Sequence, residues 1–221
     1  MELEDPGLPS RPEFESSAEG RNESAAEGGA GLDLARRLRE ATAEELATLV
    51  AQRGEELTSP EALGALRNPF LSSEVAAAIA RLARVLASPE VKRTLAASPR
   101  TPEALAISLV SGLVWTDLAA LGADVRVRPT VRRAADLALA ARLPGLAVGE
   151  KIALARRAGT GVISALRSDP TPRVISALLE NPRLTEGQLA PALVSEETSP
   201  AILRLVAGNG KWGARPSVRA I

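Results

Sequence analysis

The chain contains no cysteine, no histidine and no tyrosine, and only 2% of its 221 residues are aromatic. The lack of cysteine excludes disulfides, thiolate nucleophiles and cysteine-based zinc sites. The lack of histidine removes the usual general base and the commonest metal ligand. We therefore expect a protein that is not an enzyme and that holds no cofactor and no metal. Asp, Glu, Lys and Ser leave an enzyme built on helical repeats as the least supported alternative.

Apolar residues make up 45% of the sequence, and almost all of them are Ala, Leu, Val and Ile. A core of these residues favours closely packed helices, because sheet proteins usually carry more β-branched and aromatic side chains. A chain of this length can also bury a substantial core. The composition therefore predicts an all-α fold.

The formal net charge of zero hides an uneven distribution. The first 30 residues carry eight acids and two bases, a net charge of −6, and the rest of the chain carries 25 bases and 19 acids, a net charge of +6. Residues 1–31 are rich in Gly, Ser, Glu, Pro and Ala, which is typical of disorder. We expect residues 1–31 to form a disordered acidic tail and residues 32–221 to form a helical-repeat domain. Within the tail, Phe14 is either an incidental linker residue or a short docking element.

No segment of the sequence has the pattern of a signal peptide or a membrane span. Met1 to Arg11 contains four charged residues and no apolar run. The most apolar window, residues 104–123, is interrupted by Thr116-Asp117, which is typical of a helix start. The sequence therefore predicts two buried helices in that window, no membrane contact and a cytoplasmic location.

A hydroxyl residue followed by proline recurs along the chain. The five pairs are Ser59-Pro60, Ser88-Pro89, Thr101-Pro102, Thr171-Pro172 and Ser199-Pro200. The hydroxyl group can cap a helix, and proline fits the first helical position because its missing N–H has no partner there. Each pair therefore predicts the start of a short helix, and we expect about ten helices in all.

Two segments of the chain share one pattern. Residues 59–72 (SPEALGALRNPFLS) and 171–185 (TPRVISALLENPRLT) both run from a hydroxyl-proline start through an apolar helix to an Asn-Pro turn, a Leu and a second hydroxyl cap. The Asn-Pro pair ends the first helix because the residue before proline is driven out of the helical region. Similar helix–turn–helix units near residues 59–102 and 171–221 are typical of an α-solenoid.

The turn Asp169-Pro170-Thr171-Pro172-Arg173-Val174 resembles the turn between the paired helices of HEAT repeats, and Asp124 followed by VRRAA at 131–135 is similar. The resemblance implies antiparallel helix pairs that stack into a superhelix, with Asp124 and Arg132 in a ladder between neighbouring repeats. The Asn-Pro-x-Leu-Thr turn and residues 149–152 (GEKI) also resemble an uncharacterised bacterial group. We therefore predict an α-solenoid of short HEAT-like helix pairs.

Five residues form the candidate binding surface that the sequence suggests. Arg126, Arg128, Arg132 and Arg133 either bind phosphate or an acidic partner, or are solvated helix surface and part of the ladder. Trp212 lies in the glycine-rich turn 208–213. It is either a wedge between repeats or an exposed anchor, since tryptophan is enriched at binding hot spots.

These patterns favour a non-catalytic protein–protein interaction scaffold. Its concave face, formed by the second helix of each pair, would hold an extended or helical segment of another protein. The alternative is a nucleic-acid-binding helical-repeat protein that uses an Arg-rich face. Such a surface normally offers aromatic stacking platforms or a larger basic excess than this chain has. The sequence leaves open the partner, the biological process and the oligomeric state.

Overall fold

The computed structural model describes residues 33–219, so the predicted acidic tail lies outside the described residues. Residues 33–219 contain no β-strand, which confirms the prediction of an all-α fold. The helices are α1 (33–40), α2 (Ala43–Arg53), α3 (Ser59–Leu66), α4 (Ser73–Ile79), α5 (Ala83–Leu86), α6 (Pro89–Ala97), α7 (Glu103–Val110), α8 (Trp115–Ala123), α9 (Pro129–Arg142), α10 (Val148–Ala155), α11 (Thr160–Leu166), α12 (Pro172–Leu179), α13 (Glu186–Leu193), α14 (Pro200–Ala207) and α15 (Pro216–Arg219). They are shorter and more numerous than predicted, and the window 104–123 holds two of them, α7 and α8.

Three of the five hydroxyl-proline pairs mark helix starts as predicted, and at the other two the N-cap lies one residue away from the predicted position. The N-cap residues of α6, α12 and α14 are Ser88, Thr171 and Ser199, each followed by proline. Pro102, rather than Thr101, precedes the first residue of α7. At α3 the cap is Thr58 instead of Ser59. The side chain of Glu61 accepts a hydrogen bond from the Thr58 N–H at 2.8 Å, and this capping box moves the start one residue earlier.

We divide the described helices into two rows and leave out the short α5, which contacts α3 and α6. The first row contains α1, α3, α6, α8, α10, α12 and α14, and the second contains α2, α4, α7, α9, α11, α13 and α15. The main contacts within the rows are α3–α6–α8 and α10–α12–α14 in the first, and α2–α4, α7–α9–α11 and α13–α15 in the second. These contacts join helices at most three places apart in the chain, which is the short-range pattern expected of stacked helix pairs. The superhelical solenoid stays a prediction.

Two hydrophobic clusters fill the space between the rows. The first contains buried residues from Leu38 to Leu95, and the second contains buried residues from Ala96 to Trp212. The clusters meet at α6 and α7, where Leu109 packs against both. Leucine, valine, isoleucine and alanine supply nearly all of this core, as the composition predicts.

The two Asn-Pro turns make the same set of hydrogen bonds. Asn68 lies just after α3. Its Nδ2 group donates to the carbonyls of Leu38 and Ala41 at the end of α1, both at 2.8 Å. The Nδ2 group of Asn181 donates to the carbonyls of Ala155 and Ala158, at 2.7 and 3.2 Å, at the end of α10. Both asparagines are at most 4% exposed. Each asparagine therefore caps the carbonyl end of an earlier helix in the first row.

Two arginines bind the carbonyls of turns between helices. The guanidinium of Arg128 donates to the carbonyls of Pro99 and Thr101, in the turn between α6 and α7. The guanidinium of Arg142 donates to the carbonyls of Ser111 and Leu113, in the turn between α7 and α8. Both arginines come from α9 or the residue before it, so these bonds join α9 to the turns at both ends of α7.

Close backbone contact between α1 and α3 depends on Gly64. A Cβ atom at this position would lie 2.2 Å from the carbonyl oxygen of Ala35 and 2.9 Å from its carbonyl carbon. Both are backbone atoms of α1, which cannot move without shifting the helix. Only glycine therefore permits the observed spacing of α1 and α3.

We expect Gly64→Ala to lower the free energy of unfolding by about 1–3 kcal/mol, because the added methyl group overpacks the α1–α3 contact. Gly149→Ala in α10 is the matched control, since a Cβ atom there meets no atom within 4 Å. It should be neutral or stabilise by up to about 1 kcal/mol, because alanine is the better helix former. Urea unfolding followed by circular dichroism measures both variants. Equal effects would contradict the role given to Gly64.

We expect Asn68→Asp to lower the free energy of unfolding by about 3 kcal/mol or more, because a buried carboxylate would face two carbonyl oxygens that have lost their donor. Asn209→Asp is the matched control. Asn209 uses only Oδ1, which accepts from the N–H groups of Lys211 and Trp212, and its Nδ2 has no partner among residues 33–219. Aspartate keeps both bonds, so the control should change stability by less than about 1 kcal/mol. A similar loss in both variants would show that the donors of Asn68 do not matter.

Candidate interaction surface

The structure distributes the four predicted arginines over different environments. Arg126 is exposed and forms a two-bond ion pair with Asp124, with distances of 3.0 Å from Nε to Oδ1 and 2.8 Å from Nη2 to Oδ2. These bonds and the Arg126 N–H lower the pKa of Asp124 to about 2. Asp124 therefore pairs within its own turn. The ladder with Arg132 that the resemblance implied is not formed, and Arg132 contributes only a weaker attraction at longer range.

The other three arginines do not share one exposed face. Arg128 is half-buried, with its guanidinium bound to the carbonyls of Pro99 and Thr101. Arg132 is half-buried, and its Nε atom is buried without a hydrogen-bond partner among the described residues. Arg133 is fully on the exposed side of α9. The four arginines are close in sequence but differ in environment: one binds backbone carbonyls, one is half-buried and two are exposed.

Trp212 lies in the core and not on a surface. Its side chain is 1% exposed, and its Nε1 group donates to the carbonyl of Leu179, the last residue of α12, at 2.9 Å. Lys211 and Arg215 lie over the ring at 4.8 and 5.1 Å from its centroid. Of the two interpretations of Trp212, this position agrees with the packing wedge. Trp212 therefore leaves the candidate binding surface.

Ion pairs between neighbouring first-row helices were missed by the sequence analysis. Arg67 after α3 pairs with Glu90 of α6 at 2.9 Å, and Arg93 of α6 pairs with Asp117 of α8 at 3.4 Å. The partners are 23 and 24 residues apart in the chain. That regular separation is the one signal in the sequence that relates them, and it is visible only once the helix boundaries are known.

Two adjoining grooves lie along the first row. One, of about 580 Å³, runs between α1, α3 and the start of α6, and the other, of about 620 Å³, runs between α6 and α8. The two grooves are neighbours, because Arg67 and Glu90 line the first while Leu66 and Arg93 line the second. Five exposed arginines line the two grooves, and we call this surface the arginine groove: Arg36, Arg39, Arg67, Arg93 and Arg126.

Three acids also line the arginine groove: Glu40, Glu90 and Asp124. Its floor is apolar or small, with Leu63, Gly64, Leu66, Ala97 and Leu121 among the lining residues. The surface therefore combines a rim that has more arginines than acids with an apolar floor. It lies on the first helices of the pairs, whereas the sequence placed the binding face on the second helices. Only Arg126 belongs to both the predicted surface and this groove.

Asp136 of α9 is pressed against glycines of two neighbouring helices. A Cβ atom at Gly122 of α8 would lie 2.3 Å from Oδ1 of Asp136, and one at Gly161 of α11 would lie 2.3 Å from Oδ2. Oδ1 is buried without a hydrogen-bond partner in the described part of the chain. Burial raises the pKa of Asp136, and the attraction of Arg132 opposes this shift. The carboxyl group helps to space α8, α9 and α11, but its charged form is disfavoured there.

Within residues 33–219 no group of three or more acidic side chains is arranged to hold a metal ion. In the same range, no helix combines the length and the apolar character needed to cross a bilayer. No protein-family model matches the chain, and neither a curated protein nor a solved structure matches it. The HEAT-like resemblance therefore stays a prediction.

We expect Asp136→Asn to raise the free energy of unfolding relative to the wild-type protein, and this gain should grow as the pH rises. The raised pKa of Asp136 means that the folded state binds its proton more tightly than the unfolded state. The wild-type protein therefore loses stability as the pH rises from the ordinary aspartate pKa through the folded value, and asparagine has no such loss. Urea unfolding of both proteins from pH 3 to about pH 7 measures the difference.

Asp124→Asn is the control of opposite sign. The folded pKa of Asp124 is about 2, so its contribution is present above the unfolded pKa and is lost as the pH falls toward 2. This substitution should destabilise at neutral pH and become neutral in acid. A pH-independent effect of Asp136→Asn would contradict the burial of its carboxyl group.

Proposed function

We propose that this protein is a non-catalytic protein-interaction scaffold that binds an extended acidic segment of a partner along the arginine groove. The observation that carries the proposal is the convergence of five exposed arginines, from α1, α3, α6 and the turn after α8, on one groove with an apolar floor. Carboxylates are natural partners of arginine because its planar fork can donate two parallel hydrogen bonds.

The arginines are available because their side chains stay exposed while they are ion-paired. The side chains of Arg67, Arg93 and Arg126 are 55%, 46% and 87% exposed, and their acidic partners are less exposed, at 47%, 15% and 30%. Ion pairs at a protein surface contribute only about 0–1 kcal/mol each, so a carboxylate of an incoming segment can take the place of the resting partner. By contrast, Arg128 and Arg142 are held by backbone carbonyls and are not free to exchange.

The floor of the groove supports an extended ligand with both acidic and apolar residues. Side chains of an extended segment alternate in direction, so one set can face the arginine rim while the other contacts the floor. Gly64 keeps the floor shallow, and the half-buried Leu63 and Ala97 supply apolar surface to bury. An acidic segment without apolar residues would use only the rim.

The nucleic-acid alternative has less support. Arg128 is already bound to the carbonyls of Pro99 and Thr101, and Asp124 balances the charge of Arg126. The acids of the groove would repel a phosphate backbone. Neither of the two tryptophans lines the groove, so it offers no indole on which bases stack. A protein ligand with its own apolar side chains suits this surface better.

We expect the full-length protein to select acidic–apolar sequences from a displayed library of random short peptides. Fluorescence anisotropy with a selected peptide should show weakening of roughly tenfold or more in Arg93→Glu, since one close charge pair becomes repulsive. Arg133→Glu makes the same charge change on an exposed arginine outside the groove and should change the affinity less than about twofold. Circular dichroism checks that both variants are folded.

Two results would contradict the proposal. One is the absence of acidic sequences among the selected peptides, and the other is an equal loss of affinity in the two variants. An oligonucleotide that binds at low salt, and that binds less tightly to Arg132→Ala and Arg133→Ala, would support the nucleic-acid alternative instead.

A further inference from the structure

We infer that the acidic N-terminal segment of this chain, centred on Glu13-Phe14-Glu15, occupies the arginine groove of the same molecule when no partner is bound. The inference rests on the proposed function, because partner and segment would use one surface. The segment would then act as an internal competitor that sets how tightly a partner must bind.

The chemistry of the segment matches that of the groove. Residues 1–30 carry a net charge of −6, and they contain two triplets in which acids flank a large apolar residue, Glu2-Leu3-Glu4 and Glu13-Phe14-Glu15. The groove offers the complementary arrangement, an arginine rim around an apolar floor. Phe14 is one of only two phenylalanines in the chain. A residue of that size, held between two carboxylates, suits a docking position better than a solvated linker.

The geometry of the chain also favours this contact. The segment leads directly into α1, whose Arg36 and Arg39 form one end of the groove. Seventeen residues separate Glu15 from Asp33. Fully extended, they span up to about 55–60 Å, and four neighbouring helices at 8–10 Å spacing extend over roughly 30 Å. Glu13-Phe14-Glu15 can therefore reach any part of the groove.

The charge state of α1 gives a specific point of contact. Arg39 is exposed and forms no ion pair with any residue in 33–219, although it lines the groove beside Arg36 and Arg67. Arg36 pairs only within α1, with Glu40, at 3.3 Å and with both side chains largely exposed. The end of the groove nearest the acidic segment thus has the most accessible cationic charge.

The test is paramagnetic relaxation in the full-length protein. The chain has no cysteine, so Ser16→Cys carries a single spin label next to the triplet. We expect broadened amide signals in α3 and α6 around Gly64, Arg67 and Arg93, and unaffected signals in α13 and α14. The broadening should be lost in Arg93→Glu and at high salt, and kept in Arg133→Glu. A mixture of labelled and isotope-enriched unlabelled chains should show none of it.

A second measurement links the segment to partner binding. Replacing the triplet by Glu13→Gln, Phe14→Ala and Glu15→Gln should raise the affinity of a library-selected peptide by roughly fivefold to tenfold, because a tethered competitor is weakened. No change in affinity would overturn the inference. So would broadening that is absent, spread over the whole chain, or seen between different molecules.

The two proposals fail separately. Peptide binding without broadening at the groove would overturn the inference and leave the scaffold function in place. Broadening at the groove without any peptide binding would support the inference and contradict the proposed function.

Discussion

The ends of short helices impose the constraint on which this structure depends. A helix of eight residues, such as α7 or α10, leaves four N–H groups and four carbonyls without an internal partner, which is half of its backbone. Burying those groups unpaired would cost more than the small apolar faces return. The carbonyl ends are instead capped by side chains from later in the chain, as Asn68 and Asn181 do for α1 and α10. Each cap joins one first-row helix to the turn after the next helix of that row. The same hydrogen bonds therefore cap a helix and hold it against its neighbour.

The same constraint divides the arginines into two groups. Arg128 and Arg142 bind the carbonyls of turns and are structural residues, although they are as cationic as any others. Arg67, Arg93 and Arg126 face the first-row groove, and their side chains are exposed although each is paired with an acid. Charge counted along the sequence therefore overstates the cationic surface near residues 126–133. It also misses the surface to which four separate segments of the chain contribute arginines. The proposed binding surface uses arginines that no backbone carbonyl holds.

Glycine and buried polar groups show how closely the rows pack. Gly64 lets α1 touch the backbone of α3, and Gly122 with Gly161 admits Asp136 between α8 and α11. With almost no aromatic residues, the chain fills its core with small aliphatic side chains and brings the helices together to do so. Trp212 is the exception, a single large side chain that fills space and caps Leu179 at once. Close packing of this kind keeps neighbouring helices of the first row near to one another.

The sequence by itself determined the helical fold, the helix starts at Ser-Pro and Thr-Pro pairs, and the equivalence of the two Asn-Pro turns. It could do so because capping and proline geometry act within a few residues. It placed Ser88, Thr171 and Ser199 at helix starts and put Ser59 one residue from its cap. Only the tertiary structure decided that Trp212 is buried, that Asp124 pairs with Arg126, and that Arg67 and Arg93 share a groove. Those outcomes depend on contacts between residues about 20–35 positions apart, or on the direction in which a turn orients a side chain. The local sequence pattern carries no information about either.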